Sequence, residues 1–363
     1  MPFIDLFAAP GTRLDITRLV DSIDGEPFVR GRKVGEFSEA FSKVLGIADC
    51  IPTGNCTDAL FAILKCLGIK QGDEVITPAF SWISSAETVS LCNAVPVFAD
   101  VDPHMYVLDV ADVEKKITAR TRAVIAVHLF GQAAPVAALR KVCDKHNLLL
   151  IEDCAQAHLT SVGNRYAGTF GDAAAFSFYP TKNLGAYGDA GCIVTNNEAL
   201  AEKMRRYCNH GALQKDDHIM EGMNSRMDTL QAAVLLAKLP HLQDWNRQRI
   251  ENAQHYCSLL ADIPFLKLPV VSADTIHTFH IFAIRAQRRD QLQTYLTGQG
   301  VETIIHYPAA LPNLPAYSYM RHQPGDFPVA SSLQDELLSL PIYPGLTLAD
   351  IEFVCQTIRT FYA

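Results

Sequence analysis

This sequence contains cysteines but no closely spaced cysteine pairs of the kind found in redox and zinc-binding motifs. The ten cysteines of the 363-residue chain stand singly, and no two of them have the C-x-x-C spacing of redox motifs or zinc ligands. Most lie inside apolar runs, where a thiol packs as a small hydrophobic group. We therefore expect no metal site and a protein that works in the reducing cytoplasm.

Blocks of basic residues and long apolar runs are also missing. The chain has 31 Lys and Arg residues against 39 Asp and Glu residues, a net charge of -8, with no basic block interleaved with aromatics. This composition predicts no nucleic-acid partner. No apolar run is long enough to span a bilayer, and the N-terminus lacks a basic segment followed by an apolar one, so we expect no membrane association.

Two phosphate-binding motifs are absent as well. No G-x-G-x-x-G sequence joins the first predicted strand to its helix, which argues against a nicotinamide-dependent oxidoreductase. The P-loop spacing and its lysine are also absent. Between the first predicted strand and its helix, residues 53–58 read TGNCTD. This turn either binds a phosphate through free backbone N–H groups or only caps the helix through Thr57 or Asp58.

The chain does have a regular alternation of strands, turns and helices from residue 48 onward. This alternation predicts a mostly parallel, mixed α/β sheet flanked by helices. The length favours two domains, an N-terminal arm with a large domain over 1–244 and a smaller C-terminal α+β domain over 245–363. Strands in the smaller domain are predicted at 278–284 and 302–305.

Residues 148–196 contain the most informative stretch. An apolar run at 148–151 ends at Glu152 and Asp153, and a second predicted strand at 173–178 leads to Lys182. A carboxylate and a lysine at neighbouring strand ends suit pyridoxal 5'-phosphate, which needs an amine partner and an anion beside its ring nitrogen. Lys182 is the one charged residue of 173–187, so desolvation should lower its pKa, although a lysine is more often solvated.

Other candidate residues have two interpretations each. Trp82 follows a predicted strand and either stacks on a flat cofactor or packs in the core. Gln156 and His158 follow Asp153 closely enough to line the same pocket wall. His128, at another strand end, is a pocket residue or a structural histidine.

Seven segments, taken in order, resemble the DegT/DnrJ/EryC1/StrS sugar aminotransferases, a branch of the fold-type I pyridoxal-phosphate enzymes. The matching text is GNCTDAL, GDEVITPAFSWISSAETV, PVFADVDP, HLFGQ, IEDCAQAH, FGDAAAFSFYPTKNLGAYGDAG and GMNSRMDTLQAAVL. The resemblance runs from about residue 31 to residue 238 and more weakly to residue 317. It implies a large domain with a mostly parallel mixed sheet and a smaller C-terminal α+β domain.

The resemblance also implies a role for each matched residue. Lys182 would form the Schiff base and shuttle the proton, and Asp153 would pair with the pyridinium nitrogen. The remaining cofactor contacts would be Gln156 at the phenolic oxygen, Cys56, Thr57 and Ser177 at the phosphate, Trp82 over the ring, and Asn224 at the phosphate of a neighbouring subunit. Residues expected near the substrate are His158, Tyr179, His306 and Tyr307.

The implied activity is transfer of an amino group from L-glutamate to a keto group of a nucleotide-linked deoxysugar by a homodimer with shared active sites. Two alternatives keep the fold. One is a sugar dehydratase, which would have His where Lys182 stands, and the other is a non-catalytic cofactor-binding regulator. The chain departs from the family pattern at Pro312, where a histidine near the sugar is common, and at Leu159, where glycine is usual.

Overall fold

A computed structural model describes residues 1–323 and 325–363, and gives the backbone alone at residue 324. The helices in chain order are α1 Ile16–Asp21, α2 Arg32–Leu45, α3 Cys56–Cys66, α4 Ser84–Leu91, α5 Val110–Lys116, α6 Val136–His146, α7 Glu198–Tyr207, α8 Thr229–Lys238, α9 Leu242–Leu260, α10 Arg289–Gly298, α11 Pro328–Glu336 and α12 Leu348–Tyr362.

The strands form three sheets. In chain order they are β1 Asp49–Thr53, β2 Glu74–Pro78, β3 Val95–Ala99, β4 Thr121–Val127, β5 Leu149–Asp153, β6 Ser161–Val162, β7 Arg165–Tyr166, β8 Ala173–Ser177, β9 Gly191–Thr195, β10 Leu266–Lys267, β11 Thr275–Ile276, β12 Phe282–Ala286 and β13 Leu337–Leu340.

The largest sheet has seven strands in the order β1-β9-β8-β5-β4-β2-β3. Strand β9 runs antiparallel to both of its neighbours, and the other strands all run in one direction. Helices cover both faces, and β2, β8 and β9 are buried along their whole length. The predicted mostly parallel mixed sheet is therefore confirmed.

One face of this sheet rests on an aromatic cluster. The rings of Phe41 and Phe37, from α2, lie 5.6 Å apart and meet Phe176 and Phe178 edge-on at 5.2–5.3 Å. Because side chains alternate along a strand, Ser177 between those two phenylalanines points to the opposite face. This cluster fixes which face of β8 is available to a ligand.

The C-terminal part is built on the antiparallel sheet β10-β12-β13, which shares a core with α9, α10 and α12. Two predicted strands need correction here. The predicted strand at 278–284 begins later, as β12, and the prediction at 302–305 was wrong, since only Ile304 forms a bridge, to Ser339. Strand β12 pairs with β10 and with β13, and β13 follows α11 without a turn residue to mark it in the sequence.

The predicted boundary between residues 244 and 245 lies inside α9, and the division into two domains remains a prediction. Among the described residues, the helices are too short or too polar to cross a membrane.

Candidate active site

A cavity of about 550 Å³ opens at the carboxyl ends of the parallel strands. This is where ligands gather in open α/β sheets. Nearly all of the predicted site residues line it, namely Cys56, Thr57, Trp82, Asp153, Gln156, Ser177, Tyr179, Lys182, His306 and Tyr307. The predicted site residues outside its wall are His158 and Asn224.

Asp153 is the last residue of β5 and pairs in register with Val127 of β4 and Ala175 of β8. Its carboxylate accepts a hydrogen bond from the Ala155 amide at 3.0 Å. Burial raises the pKa of the Asp153 carboxyl, and the nearby Lys182 charge opposes this only in part. An adjacent cation would therefore be needed to stabilise the ionised form fully.

Lys182 lies five positions beyond the end of β8, in a tight turn. A Cβ on Gly185 would lie 2.3 Å from the Pro180 carbonyl oxygen, so this turn requires glycine. Burial lowers the pKa of the Lys182 amine, while Asp153 and Cys56 act against that shift. The side chain is half-buried, and the direction of its pKa agrees with the prediction and favours the nucleophilic neutral amine.

The neighbour of Asp153, Glu152, points away from the cavity and anchors β5. Its carboxylate accepts hydrogen bonds from the Gly168, Phe170 and Gly171 amides at 2.6–2.8 Å and contacts His128 Nε2 at 3.0 Å. Burial alone would raise the pKa of Glu152, but these hydrogen bonds outweigh burial and lower it. His128 Nδ1 in turn accepts from the Ala134 amide, so the structural interpretation of His128 is confirmed.

One end of the cavity is formed by the N-terminus of α3. Asn55 caps this helix by accepting from the Asp58 amide at 2.8 Å, so the predicted cap by Thr57 or Asp58 was wrong. The Thr57 hydroxyl instead contacts Ser84 Oγ at 2.9 Å. A Cβ on Gly191 would lie 2.7 Å from the Cys56 nitrogen, so this glycine lets β9 approach the turn closely. Amides at a helix N-terminus, with hydroxyls beside them, suit a phosphate.

Aromatic side chains line the open side. Trp82 is 60% exposed, so the core-packing interpretation was wrong, and its ring lies 5.7 Å from that of Tyr307. Tyr307 also meets Gln156, whose Nε2 donates to the tyrosine hydroxyl at 3.0 Å while its Oε1 accepts from the Phe130 amide at 2.6 Å. The Gln156 amide keeps a second N–H group for a ligand.

His158 lies on the other side of the sheet from the cavity. Its ring is fully buried, 5.7 Å from Phe176 and 5.5 Å from Phe178, the two residues that point away from Ser177. Leu159, with a φ of 61°, turns the chain directly after it. The spacing between Asp153 and His158 therefore does not place both side chains in the cavity, and the structure does not support a substrate contact for His158.

Asn224 is exposed on the surface and forms a bridge with Asn209. Because it does not line its own chain's cavity, a role at a cofactor requires a second copy of the chain.

Sequence reasoning missed several residues of the cavity wall, and His280 is one of them. It follows the segment 277–279 and was predicted to lie within a strand, where no local pattern distinguishes a cavity histidine from a core one. Its Nδ1 lies 3.0 Å from Oδ1 of Asn183, the residue next to Lys182.

Comparison with known proteins agrees with this geometry. Residues 12–359 match the model of the DegT/DnrJ/EryC1/StrS aminotransferase family. The chain is 44% identical to the erythromycin biosynthesis sensory transduction protein EryC1 of Saccharopolyspora erythraea, over 99% of both chains. It is 41% identical to the dTDP-3-amino-3,4,6-trideoxy-alpha-D-glucose transaminase of Streptomyces venezuelae, over 99% of this chain and 95% of that one.

The fold is shared with solved aminotransferases. The crystal structure of S. venezuelae DesV in complex with a ketimine intermediate superimposes with a TM-score of 0.93 and 39% identity, over 96% of this chain and 94% of that one. Similarity of this extent covers both the large sheet and the C-terminal region.

The buried carboxyl of Asp153 makes a testable contribution to stability. A carboxyl whose pKa is raised on folding stabilises the folded state below its unfolded pKa, and this contribution is lost as pH rises through the folded pKa. In cofactor-free protein, we therefore expect Asp153→Asn to raise the melting temperature near about pH 8 and to change it much less near about pH 3, which lies below the ordinary pKa of an aspartate carboxyl.

Thermal melts of the wild type and the variant at the two pH values measure this difference. Asp189→Asn is the matched control, because Asp189 lines the same cavity but is exposed. An Asp153→Asn effect that is equal at both pH values would contradict the assignment of a buried, destabilising carboxylate.

Proposed function

Because this chain belongs to the DegT/DnrJ/EryC1/StrS aminotransferase family, we propose that it is a pyridoxal-phosphate-dependent aminotransferase. It moves an amino group from L-glutamate to a keto group of a nucleotide-linked deoxysugar. The observation that carries this proposal is the presence of Asp153 and Lys182 in one cavity, at the ends of adjacent strands β5 and β8.

The residues of the cavity fit pyridoxal phosphate at every part of the molecule. The amides of Cys56 and Thr57, at the start of α3, suit the phosphate, with Ser177 beside them. Trp82 suits the ring face, and the free N–H of Gln156 suits the phenolic oxygen. Asp153 suits a protonated ring nitrogen, because such a cation would stabilise the ionised form of a carboxyl whose pKa is raised by burial.

When bound, this cofactor supplies an electron sink for the substrate's α-carbon. The protein supplies the charges and the proton transfer. The Asp153 carboxylate holds a proton on the ring nitrogen, because an ion pair in a low-dielectric site favours the charged form. The Lys182 amine, whose lowered pKa favours the neutral nucleophile, would hold the cofactor covalently and, once released, would take up the proton that leaves the amino donor's α-carbon.

The nucleotide sugar enters from the side lined by Tyr179, His306 and Tyr307. Tyr179 is 51% exposed, and His306 Nδ1 is held by Ser339 Oγ at 2.9 Å. Burial raises the pKa of Tyr307, so its hydroxyl keeps a proton to donate. Pro312 is buried in the turn Leu311–Asn313, away from the cavity wall, so sugar recognition rests on the other three residues.

Catalysis is favoured over the two alternatives. A dehydratase of this fold would have histidine at position 182, and this chain has lysine. One relative is named as a sensory transduction protein, which fits a regulator, but a regulator has no need for the paired carboxylate and lysine.

The enzyme works in the cytoplasm, with residues 1–244 as the cofactor domain and 245–363 as the smaller domain.

Two chains form a homodimer with shared active sites. The exposed position of Asn224 supports this arrangement, since its amide is free to reach the phosphate in a neighbouring subunit. The N-terminal arm presents Phe28 at 77% exposure and Ile16 at 65%, which are apolar groups suited to burial between copies.

The reaction is tested by absorbance of the purified holoenzyme. L-Glutamate should convert the long-wavelength band of the bound cofactor to the shorter-wavelength amine form, and one member of a panel of nucleotide-linked 3-keto and 4-keto sugars should restore it. Lys182→Ala should show neither change and should retain its fold by circular dichroism. Wild-type holoenzyme that fails to respond to L-glutamate or to any sugar would contradict the proposed function.

The shared site is tested by mixing two variants at a cofactor concentration that fills the wild-type site but leaves the weakened Asn224→Ala site largely empty. Asn224→Ala should bind the cofactor about 10–100-fold more weakly, because it loses a hydrogen bond to a charged group. After mixed refolding of Lys182→Ala with Asn224→Ala, about half of the dimers are hybrids with one intact site, so about a quarter of wild-type activity should return. Activity that stays at the level of the two parents would show that Asn224 does not act across the interface.

A further inference from the structure

A buried serine holds the turn 53–58, the segment that leads from β1 into α3. Ser225 is 2% exposed. Its Oγ accepts a hydrogen bond from the Gly54 amide at 3.0 Å and donates one to Asp58 Oδ2 at 2.7 Å. The amides of residues 56 and 57, which suit a phosphate, lie between these two attachment points in the sequence. Ser225 therefore connects the strand side of the turn to the first turn of α3.

The donors and acceptors at Ser225 have one possible order. A backbone N–H group can only donate and an ionised carboxylate can only accept, so the single hydroxyl hydrogen goes to Asp58 and an oxygen lone pair receives the Gly54 amide. The bond to Asp58 is charge-assisted, which is the stronger class of hydrogen bond. An alanine at position 225 would lose both bonds at once.

The residue before Ser225 is Asn224, and the two side chains lie on opposite sides of the backbone. Asn224 is exposed and forms a bridge with Asn209, and the Ser225 amide donates to the Cys208 carbonyl at 3.0 Å. Adjacent side chains of such an extended segment point in opposite directions. One side chain therefore contacts the turn of its own chain, and its neighbour faces the surface.

Holding these groups in place before a ligand arrives raises affinity. A turn that is already ordered loses less conformational freedom when a phosphate binds to its amides. The same reasoning applies to the Asn224 amide, whose backbone is continuous with that of Ser225.

We propose that Ser225 is a positioning residue for both cofactor sites of the dimer. Its hydroxyl holds the phosphate-binding turn of its own chain, and through the backbone it holds Asn224 for the phosphate in the neighbouring subunit. This inference rests on the proposed function for the cofactor and for the shared site.

The phosphate dependence is tested on cofactor-free protein with two ligands. Ser225→Ala should bind pyridoxal 5'-phosphate about 3–10-fold more weakly, the net contribution of about one hydrogen bond. It should bind pyridoxal, which lacks the phosphate, with wild-type affinity. Ser42→Ala is the matched control, because the Ser42 hydroxyl donates to a carbonyl within α2. Equal weakening for both ligands would overturn the proposal and make Ser225 a residue of general structural importance.

The bond to Asp58 is tested by a double-mutant cycle on the affinity for pyridoxal 5'-phosphate. If Ser225 acts through Asp58, Ser225→Ala should weaken binding less in an Asp58→Ala background than in the wild type. Effects that simply add would show that the two side chains act independently and would contradict this step.

Hybrid dimers separate the two sites. In each hybrid one chain carries Lys182→Ala, so the long-wavelength band of the bound cofactor reports the site of the other chain alone, and two different affinity tags isolate the hybrid. Ser225→Ala placed in the chain that keeps Lys182 tests its own site. Ser225→Ala placed in the Lys182→Ala chain tests the site across the interface. Both hybrids should bind the cofactor more weakly than the hybrid in which both chains keep Ser225.

The outcomes distinguish this inference from the proposed function. A loss confined to the chain that carries Ser225→Ala, or no loss in either hybrid, would overturn the proposal. Wild-type protein that binds the cofactor but does not respond to L-glutamate would contradict the proposed function, while the affinities would still decide the role of Ser225. If the wild type gives no cofactor band, thermal melts with inorganic phosphate replace the titration, and an equal rise in melting temperature in wild type and Ser225→Ala would overturn the proposal.

Discussion

The rest of this structure depends on the meeting of a buried carboxylate and a half-buried lysine at the carboxyl edge of one sheet. Asp153 and Lys182 each shift toward the neutral form, since burial raises the pKa of the acid and lowers that of the amine. Placing two such ionisable groups in an apolar interior lowers the free energy of unfolding, so groups of this kind are typical of ligand-binding or catalytic sites. We therefore propose that the site accepts a positively charged ring nitrogen beside Asp153 and uses Lys182 as a neutral nucleophile.

Much of the surrounding structure holds these two groups in place. The four hydrogen bonds to Glu152 anchor the end of β5, so that the next residue, Asp153, faces the cavity. The phenylalanine cluster of α2 fixes the face of β8, and Gly185 and Gly191 allow close approaches that a Cβ would prevent. A rigid second layer of this kind is what keeps catalytic groups within the tolerance that proton transfer demands.

Sequence reasoning was most successful where local pattern and tertiary structure agree. Apolar strands ending in polar residues located Asp153 and the strand before Lys182, because side-chain burial on both faces leaves a clear signature. It failed where the outcome depends on distant contacts. His158 follows the strand by a spacing that suggests the cavity, but the chain turns at Leu159 and the ring packs on the opposite face. His280 gains its place through Asn183 and Asn246, a relation that no local pattern encodes.

We propose that Lys182 is the residue that binds the cofactor covalently, opposite Asp153. Borohydride reduction of the holoenzyme, followed by protease digestion and mass spectrometry, tests it most directly. The reduced pyridoxyl group is expected on the peptide containing Lys182 and on no other lysine. A pyridoxyl group on a different lysine, or a Lys182 peptide without added mass from a protein that retains the cofactor, would contradict it.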